Sequence, residues 1–172
     1  MKTIKKLSAV FALTMVAIFS SCSSSSDGGG SGPASGSYIT AKINGANFTT
    51  LISGVSAASA SRSGTGADTL IMVLGSSLST NSVNLNLYGI TATGTYTLNS
   101  SSDSVMAYVE SATSKAYGTG ICDGSTGSIT VTYLDATKIE GTFTFTGKDG
   151  ENCDAAAKTV TAGNFRGVFV SN

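Results

Sequence analysis

The side chains able to do chemistry in this 172-residue chain are few and unevenly placed. Cys22, Cys122 and Cys153 are its three thiols, and no His accompanies them. Without an imidazole neither a Ser-His-Asp nor a Cys-His system is available, and every His-ligated metal site is excluded. The lack of Trp removes the strongest aromatic platform for sugars and quaternary amines. Carboxylates leave one catalytic alternative, a small hydrolase of the glycosidase type, which needs two carboxyls about 5–10 Å apart in a cleft. Its candidates are Glu110, Glu140 and Glu151, none of them inside a recognisable motif. The chain therefore reads as a non-enzyme without a cofactor. Asp123, Asp149, Glu151, Asn152 and Asp154 gather oxygen ligands of the kind Ca²⁺ takes, yet 149–154 lacks the spacing of a calcium loop. Solvated turns account for that cluster, and no metal site is assigned.

Cys122 and Cys153 are not in Cys-x-x-Cys spacing and have no further ligands beside them, while each lies next to a turn, Cys122-Asp-Gly and Gly150-Glu-Asn-Cys. In an exported chain such a pair closes a structural disulfide. The N-terminus supports export. Lys2, Lys5 and Lys6 precede an apolar run over 7–19, broken only by Ser8 and Thr14. That run would span roughly 20 Å as a helix, short of the roughly 30 Å hydrocarbon core, so it reads as the apolar part of a signal peptide. Phe19-Ser20-Ser21-Cys22 resembles the lipobox of bacterial lipoproteins, with Phe19 where that motif usually carries an aliphatic residue. The resemblance implies removal of 1–21 and lipidation of Cys22, so that the acyl chains hold the protein at a membrane. Cleavage takes away three basic residues and no acidic one, leaving seven against ten and a mature net charge of about −3. No field for nucleic acid remains.

Residues 22–36 follow as the anchor Cys and a Ser/Gly tether that can bury too little surface to fold. From 37 to 172 the pattern is β throughout and fits a single antiparallel domain. Val83-Asn-Leu-Asn-Leu87, Ile129-Thr-Val-Thr-Tyr133 and Thr142-Phe-Thr-Phe-Thr146 alternate strictly, the mark of strands with one buried and one wet face. The stretch 69–74 is apolar on both faces and is expected to be a central strand covered on each side. Further strands are expected over 38–43, 46–51, 55–61, 94–98, 105–110, 159–162 and 165–170, with one helical turn at most, over 154–158. Asn44-Gly45, Asp123-Gly124, Asp149-Gly150 and Gly163-Asn164 supply turn chemistry. Roughly ten short strands with short turns predict an all-β fold, an antiparallel β-sandwich or small β-barrel.

On the wet faces, Asn84, Asn86 and Tyr88 share one strand and Tyr108 with Glu110 another. Amides, hydroxyls and a ring there could hold a sugar or peptide, and the solvent side of any antiparallel sheet carries the same residue types.

The lipobox and tether occur with Ile39-Thr-Ala-Lys-Ile-Asn-Gly-Ala-Asn-Phe48, Gly94-Thr-Tyr-Thr-Leu98, Ile139-Glu-Gly-Thr-Phe-Thr-Phe-Thr-Gly147 and Thr161-Ala-Gly-Asn-Phe-Arg-Gly-Val-Phe169. Together they resemble a family of small all-β Bacteroidota lipoproteins of unknown function. The resemblance implies the fold and an outer-membrane, lipid-anchored location, either periplasm-facing or on the cell surface. It implies no catalytic or binding residue. A non-catalytic structural or binding module follows as the expected role, with an envelope protein or glycan as partner. Asp68-Thr69-Leu70 and Asp103-Ser104-Val105 also resemble the acceptor tripeptide for O-glycosylation of exported proteins in that phylum, with Thr69 and Ser104 as acceptors.

Overall fold

The computed structural model describes residues 36–170, so the leader, Cys22 and nearly all of the tether lie outside the described residues. Thirteen strands follow one another: β1 (Tyr38–Ile43), β2 (Ala46–Thr49), β3 (Leu51–Ile52), β4 (Val55–Ser56), β5 (Ala58–Ser63), β6 (Leu70–Ser76), β7 (Ser82–Tyr88), β8 (Gly94–Asn99), β9 (Val105–Glu110), β10 (Lys115–Gly118), β11 (Thr126–Leu134), β12 (Lys138–Asp149) and β13 (Lys158–Val168). The expected all-β class is what forms: eleven of these strands make a curled antiparallel sheet, a half-barrel, and β3 pairs with β4 apart from it. Hairpin chemistry sets several of its corners. Asn44 and Gly45 both take positive φ (47° and 86°), as do Ser53 and Gly54 (50° and 81°), the conformation that lets a two-residue turn match strand twist.

The strand order is β2-β1-β13-β12-β10-β9-β7-β6-β5, with β11 paired to β12 and β8 completing that side. The twelve-residue β12 joins the two halves. Most of it pairs with β11, while Lys148 and Asp149 pair with β10. At the far end Ala60 of β5 bridges to Phe169, just beyond β13, which turns the sheet back on itself. Inside the curl lie Ile39, Ile71, Leu85, Leu87, Met106, Ile129, Ile139, Phe143 and Phe165, all but inaccessible to solvent.

Two features explain motifs that the sequence shows only as repeats. Gly94-Thr-Tyr-Thr-Leu98 and Gly141-Thr-Phe-Thr-Phe145 lie on opposite sides of β11 in the same register, with Gly94 and Gly141 both facing Val131 and with Tyr96 and Phe143 both facing Ile129. One central strand is read by two similar neighbours. Between β12 and β13, Gly141 pairs with Phe165 and Gly163 with Phe143, so each ring lies over the glycine opposite. A bare glycine capped by a cross-strand ring recovers burial that the missing side chain forfeits.

Three expectations change. The segments 159–162 and 165–170 are one strand, because Gly163-Asn164 is a seat for Phe143 and not a turn; Ala162, with φ 50°, takes up the bulge. Residues 154–158 form no helix, and the helical turn among the described residues is a 3-10 turn at Gly66–Asp68. The third change concerns β6, which is central but covered on one side only: Met72 and Leu74 are 44% and 46% exposed. No helix among the described residues is long and apolar enough to cross a membrane.

Four buried or half-buried ion pairs lie on these strands among the described residues, and three of them join different strands. Lys115 meets Asp149 at 2.8 Å, Lys158 meets Glu110 at 3.0 Å, and Glu140 takes both Lys138 and Arg166 at 2.9 Å. Each carboxyl is held below its ordinary range, first by the hydrogen bond from its lysine. A lowered folded value means stability that is present above the ordinary carboxylate range and lost as pH falls through the folded value. The melting temperature should therefore hold between pH 7 and about pH 5 and drop progressively below about pH 4. A melt at pH 3 equal to that at pH 7 would contradict this.

Candidate functional site

Strict alternation in β7 sends Val83, Leu85 and Leu87 inward and Asn84, Asn86 and Tyr88 outward, as the sequence suggests. The three do not form one site. Asn84 and Asn86 sit mid-strand on the open face, while Tyr88 ends the strand beside a small cleft of about 180 Å³. Tyr96, Thr97, Ser102, Asp103 and Ser104 line the cleft with it.

The local chain holds this corner firmly. The Tyr88 N–H donates to Ser104 Oγ at 2.8 Å, and that hydroxyl donates back to the Tyr88 carbonyl at 3.2 Å, fastening the end of β7 to the approach to β9. Gly89, with φ 68°, turns the chain away and donates its N–H to the Thr69 carbonyl at 2.8 Å. The Tyr88 phenol donates to Asp68 Oδ1 at 3.0 Å from the 3-10 turn, and that bond and charge push the phenol above its ordinary value. Tyr96, on the edge strand β8, packs half-buried against the core and donates its phenol to the Ala92 carbonyl at 2.9 Å. Chemically the cleft offers two oriented rings, hydroxyls and the Asp103 carboxylate. Such a set can receive a polar unit through hydrogen bonds and a ring face.

Tyr108 is elsewhere. It was expected on a wet face with Glu110, but it points into the curl and is buried, paired with Tyr117 at a ring separation of 6.4 Å. Strand 105–110 is apolar on both faces, so alternation carries no sign of which side is inward. Burial, then the Glu110 carboxylate, raises the Tyr108 phenol above its ordinary value. Lys158 covers this end of the curl, its Nζ 3.0 Å from Glu110 and 5.2 Å from the Tyr117 ring. Tyr108 thus plugs the sheet's interior and is not available to a ligand.

Cys122 and Cys153 form a disulfide, as the sequence implies. Asp149, expected in a solvated acidic turn, is instead buried against Lys115. Among the described residues no group of three or more Cys, Asp or Glu side chains converges as a metal site would require. Thr69 is fully buried with its hydroxyl unpartnered, and Ser104 is 8% exposed with its hydroxyl engaged at Tyr88. Glycosylation at Thr69 would need its buried hydroxyl exposed, and at Ser104 would break the bonds that fasten it to Tyr88. The partner that sequence reasoning missed is Tyr96, which the sequence shows only within the motif 94–98; the fold brings it to the cleft beside Tyr88.

No curated protein and no solved structure matches this chain. One family model, described as a domain of unknown function (DUF6252), matches residues 37–171, the whole β domain. By that match over most of its length, the chain belongs to the DUF6252 family.

Proposed function

We propose that the protein is a lipid-anchored cell-envelope module that binds a glycan or peptide without transforming it, gripping it at the Tyr88–Tyr96 cleft. The observation that carries this reading is the cleft itself, which an exposed ring held by Asp68 lines together with Asp103 and Ser102. Support for a binding role over a hydrolytic one comes from the carboxylates. Glu110 and Glu140 are held in ion pairs, and Asp103 is the one carboxylate lining the cleft, whereas the two-carboxylate reaction needs both an acid and a base. The Cys122–Cys153 bond supports export, since such bonds persist in oxidising compartments. Cys22 and the tether would then set the domain a short distance from an outer-membrane leaflet, facing either side.

The test has two arms. Intact mass of the full chain purified from membranes should show acyl groups at Cys22, and an unmodified Cys22 would remove the anchor. A glycan and peptide array probed with the same protein should give ligands whose affinity drops roughly tenfold or more in Tyr88→Ala, a loss of about 1.4 kcal/mol, at unchanged melting temperature. Binding indifferent to Tyr88→Ala would remove the cleft from the proposal.

A further inference from the structure

Strand β8 ends one side of the sheet, and nothing in its sequence blunts it. Its strand partner is β11 alone, in a ladder that runs from Gly94↔Val131 to Asn99↔Thr126 without a bulge. Outside that ladder only Asn99, among the residues of β8, makes a further backbone hydrogen bond. Its N–H donates to Ser102 Oγ at 3.0 Å, and its carbonyl accepts the Ser102 N–H at 3.1 Å. Proteins usually protect such an edge with a charge, a proline, a bulge or a very short strand. β2 is four residues long, and β5 carries Arg62 and is bridged at Ala60 by Phe169. β8, Gly94-Thr-Tyr-Thr-Leu-Asn99, has no charged residue, no Pro and no bulge.

The Tyr88–Tyr96 cleft lies along this edge. It touches Tyr96, Thr97 and Leu98 in succession. Successive strand residues point to opposite faces, so a hollow that meets three in a row follows the backbone edge of the strand. No residue of β11 lines it, so that edge is the one β11 leaves unpaired.

The charge of the cleft is one-sided. Asp103 is exposed there and makes no hydrogen bond or ion pair among the described residues, and no Lys or Arg lines the cleft. The Tyr88 phenol is pushed up first by its hydrogen bond to Asp68, and the charges acting on it, Asp68 and Asp103, are both negative. A free carboxylate beside two tyrosine rings favours an organic cation, through a charge-assisted hydrogen bond and the ring faces. At about 180 Å³ the hollow is smaller than the roughly 300 Å³ at which small-molecule sites begin, and it suits a single side chain.

An extended peptide answers both features at once. Its backbone would complete the ladder that β8 leaves open, and one of its alternate side chains would point into the hollow. We propose that the protein binds an extended peptide as an added strand on β8, with a Lys or Arg side chain of that peptide seated in the cleft against Asp103. This rests on the binding reading of the cleft and deepens it, choosing a basic peptide over a glycan.

Fluorescence anisotropy with the full chain tests this. The probes are capped, labelled heptapeptides of alternating Thr and Val with Lys, Arg, Met or Glu at the centre. The Lys and Arg peptides should bind roughly tenfold or more tighter than the Met peptide, as a charge-assisted hydrogen bond allows, with the Glu peptide weakest. Asp103→Asn should bring the Lys and Arg peptides down to the Met level at unchanged melting temperature. The edge has its own readout. Alternate residues of an extended chain present their N–H groups to opposite edges. Of two Lys peptides N-methylated at odd or at even positions, one should therefore lose roughly tenfold in affinity and the other bind like the parent. Equal binding of the Met and Lys peptides, no peptide binding up to millimolar concentration, or equal binding of the two N-methylated peptides overturns the proposal. If Tyr88→Ala still weakens a glycan ligand in that event, the cleft keeps its binding role and the peptide alone is lost. If Tyr88→Ala changes the binding of no ligand, the cleft reading itself falls.

Discussion

Gly141→Ala should destabilise the domain by about 3 kcal/mol, a large part of what holds a domain of this size folded. A Cβ at Gly141 would stand 2.1 Å from the Thr130 carbonyl oxygen and 2.9 Å from the Phe165 ring. The first contact is with backbone of β11 and the second with a fully buried side chain, so neither neighbour can step aside without opening a ladder. Gly163→Ala repeats the experiment from the other strand, with the Phe143 carbonyl oxygen 2.5 Å away and its ring 2.7 Å away. Gly36→Ala, where no heavy atom lies within 4 Å, is the control and should stay within about 0.5 kcal/mol of wild type. Urea unfolding read by tyrosine fluorescence measures all three. A Gly141→Ala midpoint matching that of Gly36→Ala would mean that β11 and β12 pair more loosely than their register implies.

The second large effect belongs to the disulfide. It closes a segment of sequence separation 31 that holds all of β11 and β12. Replacing both Cys122 and Cys153 by Ser frees that segment in the unfolded state and should cost about 3.5 kcal/mol on the loop-entropy account. For a domain of this length the corresponding fall in melting temperature is roughly 10 °C. Dithiothreitol should produce the same shift in wild type and none in the double variant. Two free thiols from these positions in denatured, unreduced protein would show that the bond is not made.

What the residue pattern could and could not reveal follows from how each strand is dressed. Where one face is apolar and the other carries Asn or Thr, as in 83–87 and 142–146, the inward side is evident, and the structure places Asn84 and Asn86 outward and Phe143 and Phe145 inward. Where both faces are apolar the parity signal vanishes. For that reason Tyr108 was expected in solvent and β6 was expected to be covered, whereas Tyr108 is buried and Met72 and Leu74 are open. Short polar turns marked by Asn-Gly read correctly at Asn44-Gly45, but Gly163-Asn164 looks the same in sequence and serves a different end. A glycine can be chosen for its torsion angle or for the space above it, and only a partner strand distinguishes the two. The disulfide could be anticipated because the two thiols of the β domain each lie beside a turn and have one way to pair. The Tyr88–Tyr96 cleft could not, since its walls come from strands that are not hydrogen-bonded to each other.

The entry strand β1 has a mechanical consequence. It is the first strand of the domain, yet it is not at the margin of the sheet: β2 flanks it on one side and β13 on the other. Just ahead of it Ser37 is buried and accepts the Val168 N–H at 2.9 Å, and the Ile39 N–H donates to the Thr50 hydroxyl, also at 2.9 Å. Were the domain held by the proposed amino-terminal anchor, any drag on it would be delivered at this point. The load meets two hydrogen-bonded ladders at once, so the strand cannot be peeled away singly, and resistance to forced unfolding is set by that first rupture. With that anchor, the place where the chain would be pulled is also among the places where it is most firmly sewn in.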